Sequence, residues 1–228
     1  MSTSYLPSTE EIAVAFTDEI SGLGGSVSDS YDDGGSLFMR ALLTAHDEVR
    51  PGDRVNAGIA LRATGPLVAV HPYTFRQLCS NGAIAAHVTQ TRHIARVEYV
   101  SATDFVAAAI DEVRLVTRQC AAPEAFIAVV DEMRRASAAP AELMIHLVPM
   151  LAHLRGPSRR QLLALITAEF ARENDPTLFG VMNAITAVAR ETRDPETKWR
   201  LEQYGGAIPA LARQAQRPPA RELELIGA

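Results

Sequence analysis

The sequence predicts an α+β fold, with an N-terminal antiparallel meander sheet packed by a C-terminal set of helices. Three observations carry that expectation. From Ser36 the hydrophobic residues recur with the period of 2 that belongs to strands, and beyond Ser101 they recur at helical spacing. The turn signals between the alternating runs, Pro51-Gly52-Asp53 and Thr64-Gly65-Pro66, are short. Short turns join antiparallel neighbours, whereas parallel strands need long crossovers. Strands first and helices afterwards also argue against a doubly wound arrangement.

The chain opens on a helix. Ser8 and Glu11 have capping-box spacing, and Ile12, Phe16, Ile20 and Leu23 form an apolar stripe that Gly24 and Gly25 end. Gly24 to Gly35 is rich in Gly, Ser and Asp and reads as a loop. Leu37 to Ala45 follows as a strand apolar on both faces, and Val55, Ala57, Ile59 and Leu61 alternate with Arg54, Asn56 and Arg62 as a half-buried one. A third strand begins at Leu67, with Pro72 expected to interrupt it or to place it at an edge. Ser80-Asn81-Gly82 reads as a turn, and Ile94 to Val100 as a fourth strand.

Six helices are expected beyond Ser101. They run from Asp104 to Cys120, from Pro123, from Pro140 with a kink at Pro149, from Pro157, from an Asp175-Pro176 start, and from Asp194-Pro195 to Gly205-Gly206. The expected organisation is a helix and acidic loop over 1–35, a sheet region over 36–100 and a helical region over 101–214. The last two make one domain, and 215–228 forms a loose tail.

The chain has 228 residues, 47% of them hydrophobic and 21% charged, which is ordinary globular usage. No apolar run approaches a membrane span and no basic-then-apolar leader opens the chain, so no membrane partner is expected. Two cysteines, Cys79 and Cys120, cannot build a disulfide framework, and a cytoplasmic setting follows as the expectation. The net charge of −5 is uneven. Residues 1–50 hold nine acids and two arginines, while the remainder holds eighteen acids and twenty bases, all arginine except Lys198.

The common phosphate-loop, dinucleotide, zinc-protease and serine-hydrolase signatures are absent, and no cofactor is expected. Cys79 stands near His71, His87 and His93, which can be read as a thiolate nucleophile with a base or as a small buried residue before a turn. Three histidines could also hold a metal, although their spacing matches no known ligand pattern. Asp29, Asp32 and Asp33 can be read as a cation loop or as solvated loop acids. Arginines cluster at Arg92/Arg96, Arg134/Arg135 and Arg155/Arg159/Arg160, where they either follow a phosphate backbone or form solvated helix faces. Asn183 and Thr186 fall on a polar shoulder of the fifth expected helix.

Several of these elements occur in a telling order. Pro51-Gly52-Asp53, Arg76 with Cys79-Ser80-Asn81-Gly82, Arg92-His93, Asn183-Ala184-Ile185-Thr186 and Tyr204-Gly205-Gly206 follow one another over residues 36–210. In this the chain resembles the phage- and plasmid-related proteins grouped as domain-of-unknown-function family 932. It differs in a shorter N-terminus and in having Arg rather than Lys before His93. The resemblance implies a role in DNA metabolism or in conflict between a mobile element and its host, and it implies no catalytic residues. Cys79, Asn81, Gly82, His93, Asn183 and Thr186 are therefore motif positions of unassigned role.

The leading expectation is a non-enzymatic, oligomeric single-stranded DNA binding or annealing protein. Tyr73, Phe75, Arg76, Arg92 and Arg96, with Arg155, Arg159 and Arg160, would supply aromatic planes and cations if exposed. The alternative is a protein-interaction module, an inhibitor or adaptor, whose acidic N-terminal segment meets a host or phage protein. A Cys79-dependent enzyme comes third.

Overall fold

A computed structural model describes residues 7–65, 67–77, 81–85, 102–152 and 156–212. Helix α1 (Thr9–Gly22) starts where the sequence says it should. The Ser8 hydroxyl accepts the Glu11 N–H at 3.1 Å, and a Glu11 carboxylate oxygen accepts the Ser8 N–H at 2.8 Å. Gly24 then takes a φ of 73°, which only glycine adopts without strain, and the chain turns into the sheet.

Among the described residues the sheet has five antiparallel strands in the sequential order of a meander: β1 (Ser26–Asp32), β2 (Ser36–Arg50), β3 (Asp53–Thr64), β4 (Leu67–Arg76) and β5 (Asn81–Ile84). Seven helices complete the described chain: α1, α2 (Ala102–Cys120), α3 (Pro123–Ser137), α4 (Leu143–Met150), α5 (Gly156–Glu173), α6 (Leu178–Glu191) and α7 (Pro195–Ala207). The fold is α+β.

Helices cover both faces of the sheet, which is why β2 is apolar on both sides. On one face Leu37, Met39, Ile59, Leu61 and Val70 pack against Ile12, Phe16 and Ile20 of α1 and against Val113, Val116 and Cys120 of α2. On the other face Phe38, Ala60, Tyr73 and Ile84 pack against Trp199 of α7. Val55 and Ala83 join a larger core built from α3 to α7. Helix α6 lies at its centre and is buried on every side from Leu178 to Ala189, as an all-round apolar helix must be.

Five expectations about elements are corrected. The Gly/Ser/Asp stretch is not a loop throughout: Ser26 to Asp32 form the outer strand β1, paired with Leu37 to Leu42. Its polar residues suit an edge strand, and only Asp33 to Gly35 turn. Strand β4 runs through Pro72 without a break. The Pro72 carbonyl accepts from Ala85 at the end of β5, so its missing N–H faces the side where that ladder stops and costs no β3 bond.

Asn81 and Gly82 begin β5 instead of turning. Gly82 is needed there because a Cβ would lie 1.7 Å from the Tyr73 hydroxyl, while one on Gly58 would lie 2.9 Å from the Tyr73 ring. Finally, Gly205 and Gly206 lie inside α7 and do not end it. The fifth expected helix is capped by Thr177, held by the Asp175 carboxylate, rather than by Asp175 itself. The expected fourth strand over Ile94 to Val100 lies outside the described residues.

Candidate functional site

Arg76 closes β4, and the sheet's register sets it beside Asp53 at the start of β3. Its Nε and Nη2 donate to the two Asp53 carboxylate oxygens at 2.7 and 2.8 Å, and its Nη1 donates to Glu173 Oε1 at the end of α5 at 2.6 Å. Burial opposes the charge, but the Asp53 and Glu173 hydrogen bonds more than offset it and raise the Arg76 pKa above its ordinary value. The guanidinium lies 5.4 Å from the Phe179 ring centroid. Arg50 reaches the same ring at 5.2 Å and pairs with Asp175 at 2.8 Å.

Asn183 of α6 donates to the same Glu173 oxygen at 3.4 Å. Thr186, one turn on, donates to the Met182 carbonyl at 3.0 Å and meets Gly205 of α7, where a Cβ would lie 2.4 Å from its methyl group. A Cβ on Gly206 would lie 2.1 Å from the Ile84 carbonyl of β5. Thr74, Arg76, Gly82, Asn183 and Thr186 share the wall of one cavity of about 10 Å³, roughly the room of a single water.

The described motif positions, scattered over 150 residues of sequence, thus converge where β3, β4 and β5 meet α5, α6 and α7. Asp53, Arg76, Asn183, Thr186 and the two late glycines fasten sheet to helices. Their chemistry is that of a buried, hydrogen-bonded knot with no room for a substrate.

This placement corrects part of the expected strand-binding set. Arg76 is buried and bound to two carboxylates, and Tyr73 is 5% exposed in its slot between glycines. Phe75 is half-buried against the Phe38 and Trp199 cluster. None of the three forms an open stacking platform, because helices occupy both faces of the sheet. On α5, Arg159 is half-buried and Arg160 exposed, and neither pairs with a carboxylate among the described residues. Arg92, Arg96, Arg155, Cys79 and His93 lie outside the described residues, and so does the Asn81 side chain.

The three aspartates of the N-terminal segment are employed separately. Asp29 accepts from Arg40 at 3.0 Å and from Lys198 at 2.7 Å, and these cations hold its carboxyl below the usual range although burial opposes them. Asp32 and Asp33 cap the β1–β2 turn through the N–H groups of Gly34, Gly35 and Ser36. Among the described residues no group of three His, Cys, Asp or Glu is placed to hold a metal. Cys120 is a free thiol with its pKa pushed up to about 12 by burial, and it donates weakly to the Val70 carbonyl.

Sequence reasoning missed an exposed apolar surface. Helix α4 carries no charged residue, and it exposes Met144 (51%), Ile145 (62%) and Val148 (42%) while Leu147 is fully buried. Leu165 of the adjacent α5 is 47% exposed. The signal was present in the sequence, because Leu143 to Met150 is apolar at seven of eight positions, more than a one-sided helix needs. No family model, curated protein or solved structure matches this chain.

Proposed function

We propose that the chain is a non-enzymatic protein-interaction module that assembles through α4 and α5, with a second copy of itself as the occupant. The exposed Met144, Ile145, Val148 and Leu165 carry this reading. Clustered large apolar side chains on a water-exposed surface mark an interaction site. A helix without charge meets its own copy across a two-fold axis with no like-charge repulsion. The reading fits the mobile-element resemblance, with a host or phage protein as a further partner. A cytoplasmic setting goes with it, since Cys120 is a free thiol.

The test is sedimentation velocity on the purified chain and on Ile145→Glu, whose exposed position leaves the core untouched. Concentration-dependent association abolished by the substitution supports the reading. A wild-type chain that stays monomeric up to high micromolar concentration removes it.

Single-stranded nucleic-acid binding remains a second reading, favoured by one observation: among the described residues Arg159 and Arg160 of α5 pair with no carboxylate. Titration of labelled single strands at low and moderate salt distinguishes the two. Salt-dependent binding that is lost in Arg159→Ala/Arg160→Ala would support the second reading.

A further inference from the structure

We propose that the cavity between the β3–β4 hairpin and α7 binds a small, uncharged, planar heterocycle bearing hydrogen-bond donors and acceptors on one edge, the chemistry of a nucleobase. This proposal is independent of the α4–α5 surface and can fail without it.

The cavity has a volume of about 230 Å³. That is below the range of roughly 300–1,000 Å³ that holds drug-sized ligands, so a single ring system is the size it takes. Its walls are largely apolar. Val68 and Ala69 come from β4 and Trp199 from α7, and Leu67 stands at the mouth 47% exposed, a large side chain that an occupant would cover.

The polar groups on the wall specify the ligand further. His71 is 1% exposed, and its Nδ1 has no hydrogen-bond partner among the described residues. The Thr64 hydroxyl is likewise without one. Buried polar groups in folded proteins are nearly always satisfied, so three atoms without a partner among the described residues on a single cavity wall, Arg62 Nε beside His71 Nδ1 and the Thr64 hydroxyl, point to a missing occupant. Burial lowers the His71 pKa to about 4, so the ring is neutral near pH 7. Among the described residues no partner of Nδ1 fixes the tautomer, and the ring can present either a donor or an acceptor. Thr64 and the half-buried Gln203 carboxamide can also do both.

Among the described residues the one charged side chain on the wall already has a counter-ion, and its Nε adds a buried donor without a partner. The one cation on the wall, Arg62, gives its Nη2 to Glu196 at 2.7 Å and lies 5.6 Å from the Phe38 ring centroid. A phosphate or carboxylate ligand would compete with Glu196 for that guanidinium, whereas a neutral acceptor can take the Arg62 Nε–H and leave the pair in place. An uncharged ring with alternating donors and acceptors matches the apolar walls and the three ambivalent polar groups without breaking it.

Trp199 is the only tryptophan in the chain, so its emission reports from the cavity wall. The experiment titrates the full chain with adenine, cytosine, their nucleosides and ribose 5-phosphate. Trp199 fluorescence and ligand-observed saturation-transfer NMR are read together. The expected result is saturable binding of a base or nucleoside, with none for ribose 5-phosphate. Gln203→Leu should weaken it about tenfold, the effect of one lost hydrogen bond at a buried site. His71→Phe, which keeps the ring and removes both nitrogens, should weaken it at least as much. Gln203 lies on the less buried part of α7, so its variant carries the test if His71→Phe fails to fold. No saturable signal at millimolar base, tightest binding by ribose 5-phosphate, or unchanged affinity in a folded Gln203→Leu chain would overturn the proposal.

Discussion

Glu202→Gln is the substitution that most sharply probes how α7 is held on the sheet. Glu202 is 2% exposed, and the guanidinium of Arg40 embraces it from β2. Nε reaches both carboxylate oxygens at 3.0 and 2.8 Å, and Nη2 reaches one at 2.6 Å. The substitution keeps the shape and one acceptor oxygen but removes the charge. Arg40, whose side chain is 4% exposed, is left with Asp29 alone, and Asp29 is shared with Lys198.

Breaking a buried ion pair by removing one partner costs about 3–5 kcal/mol, far more than the ~0–1 kcal/mol of a surface pair. Retention of the amide oxygen and of Asp29 sets the expectation at the lower end, about 3 kcal/mol. For a chain of this length that corresponds to a melting temperature lower by roughly 6–12 °C. Urea unfolding followed by Trp199 fluorescence is the assay, because Trp199 lies one turn away on α7 with its ring centroid 5.9 Å from that of Phe38. The double variant Arg40→Met/Glu202→Leu should recover most of the loss, since an apolar pair of similar volume is often neutral. A Glu202→Gln chain within about 0.5 kcal/mol of wild type would refute the buried network, because that is the scale of an exposed pair. So would strict additivity in the double variant.

Other consequences can be measured in the same way. Gly206→Ala puts a methyl group against the backbone carbonyl of Ile84 and should destabilise by about 1–3 kcal/mol, whereas Gly22→Ala meets nothing within 4 Å and should be neutral or stabilising by up to ~1 kcal/mol. The pH dependence of urea stability should carry the signature of His71. With a folded pKa of about 4 against an ordinary 6.5, the unfolded chain binds the proton first, so stability present above pH 6.5 is lost as pH falls toward 4. The loss amounts to about 3 kcal/mol, and it should disappear from the difference curve with His71→Phe. Cys120 should resist thiol alkylation at neutral pH until the chain unfolds, as read by peptide mass mapping; rapid labelling in the native state would contradict its burial.

Much of the fold was legible because it is written in local periods and caps. The Ser8–Glu11 box, the alternation of Val55 to Leu61 and the prolines opening α3 and α7 each act within a few residues and each forms the expected element, although β3 is buried on both faces instead of one. Misreadings arose where a distant partner decides the role of a residue. Asp29 looks like loop solvent until Arg40 and Lys198 are seen beside it, and its strand is an edge whose polar residues hide the period of 2. Arg76 looks like a free cation, but its partners are 23 and 97 residues away. Gly82 and Gly206 look like turn residues because glycine is common in turns, while here each is required by a close approach of another element. The motif order was visible in sequence, but its meaning was not, since only the fold brings Asp53, Arg76, Asn183 and Thr186 together. The exposed apolar surface of α4 escapes sequence reasoning for the same reason: composition cannot say which side of a helix finds a neighbour.

The central claim is that exposed α4 and α5 side chains make this chain an assembling module. Sedimentation velocity of the wild-type chain beside Ile145→Glu, over a concentration series and after nuclease treatment, tests it most directly. A wild-type boundary that shifts to the dimer with concentration, beside a variant that remains a folded monomer, is the predicted result. A wild-type monomer at every concentration, or a variant that associates just as well, would contradict it.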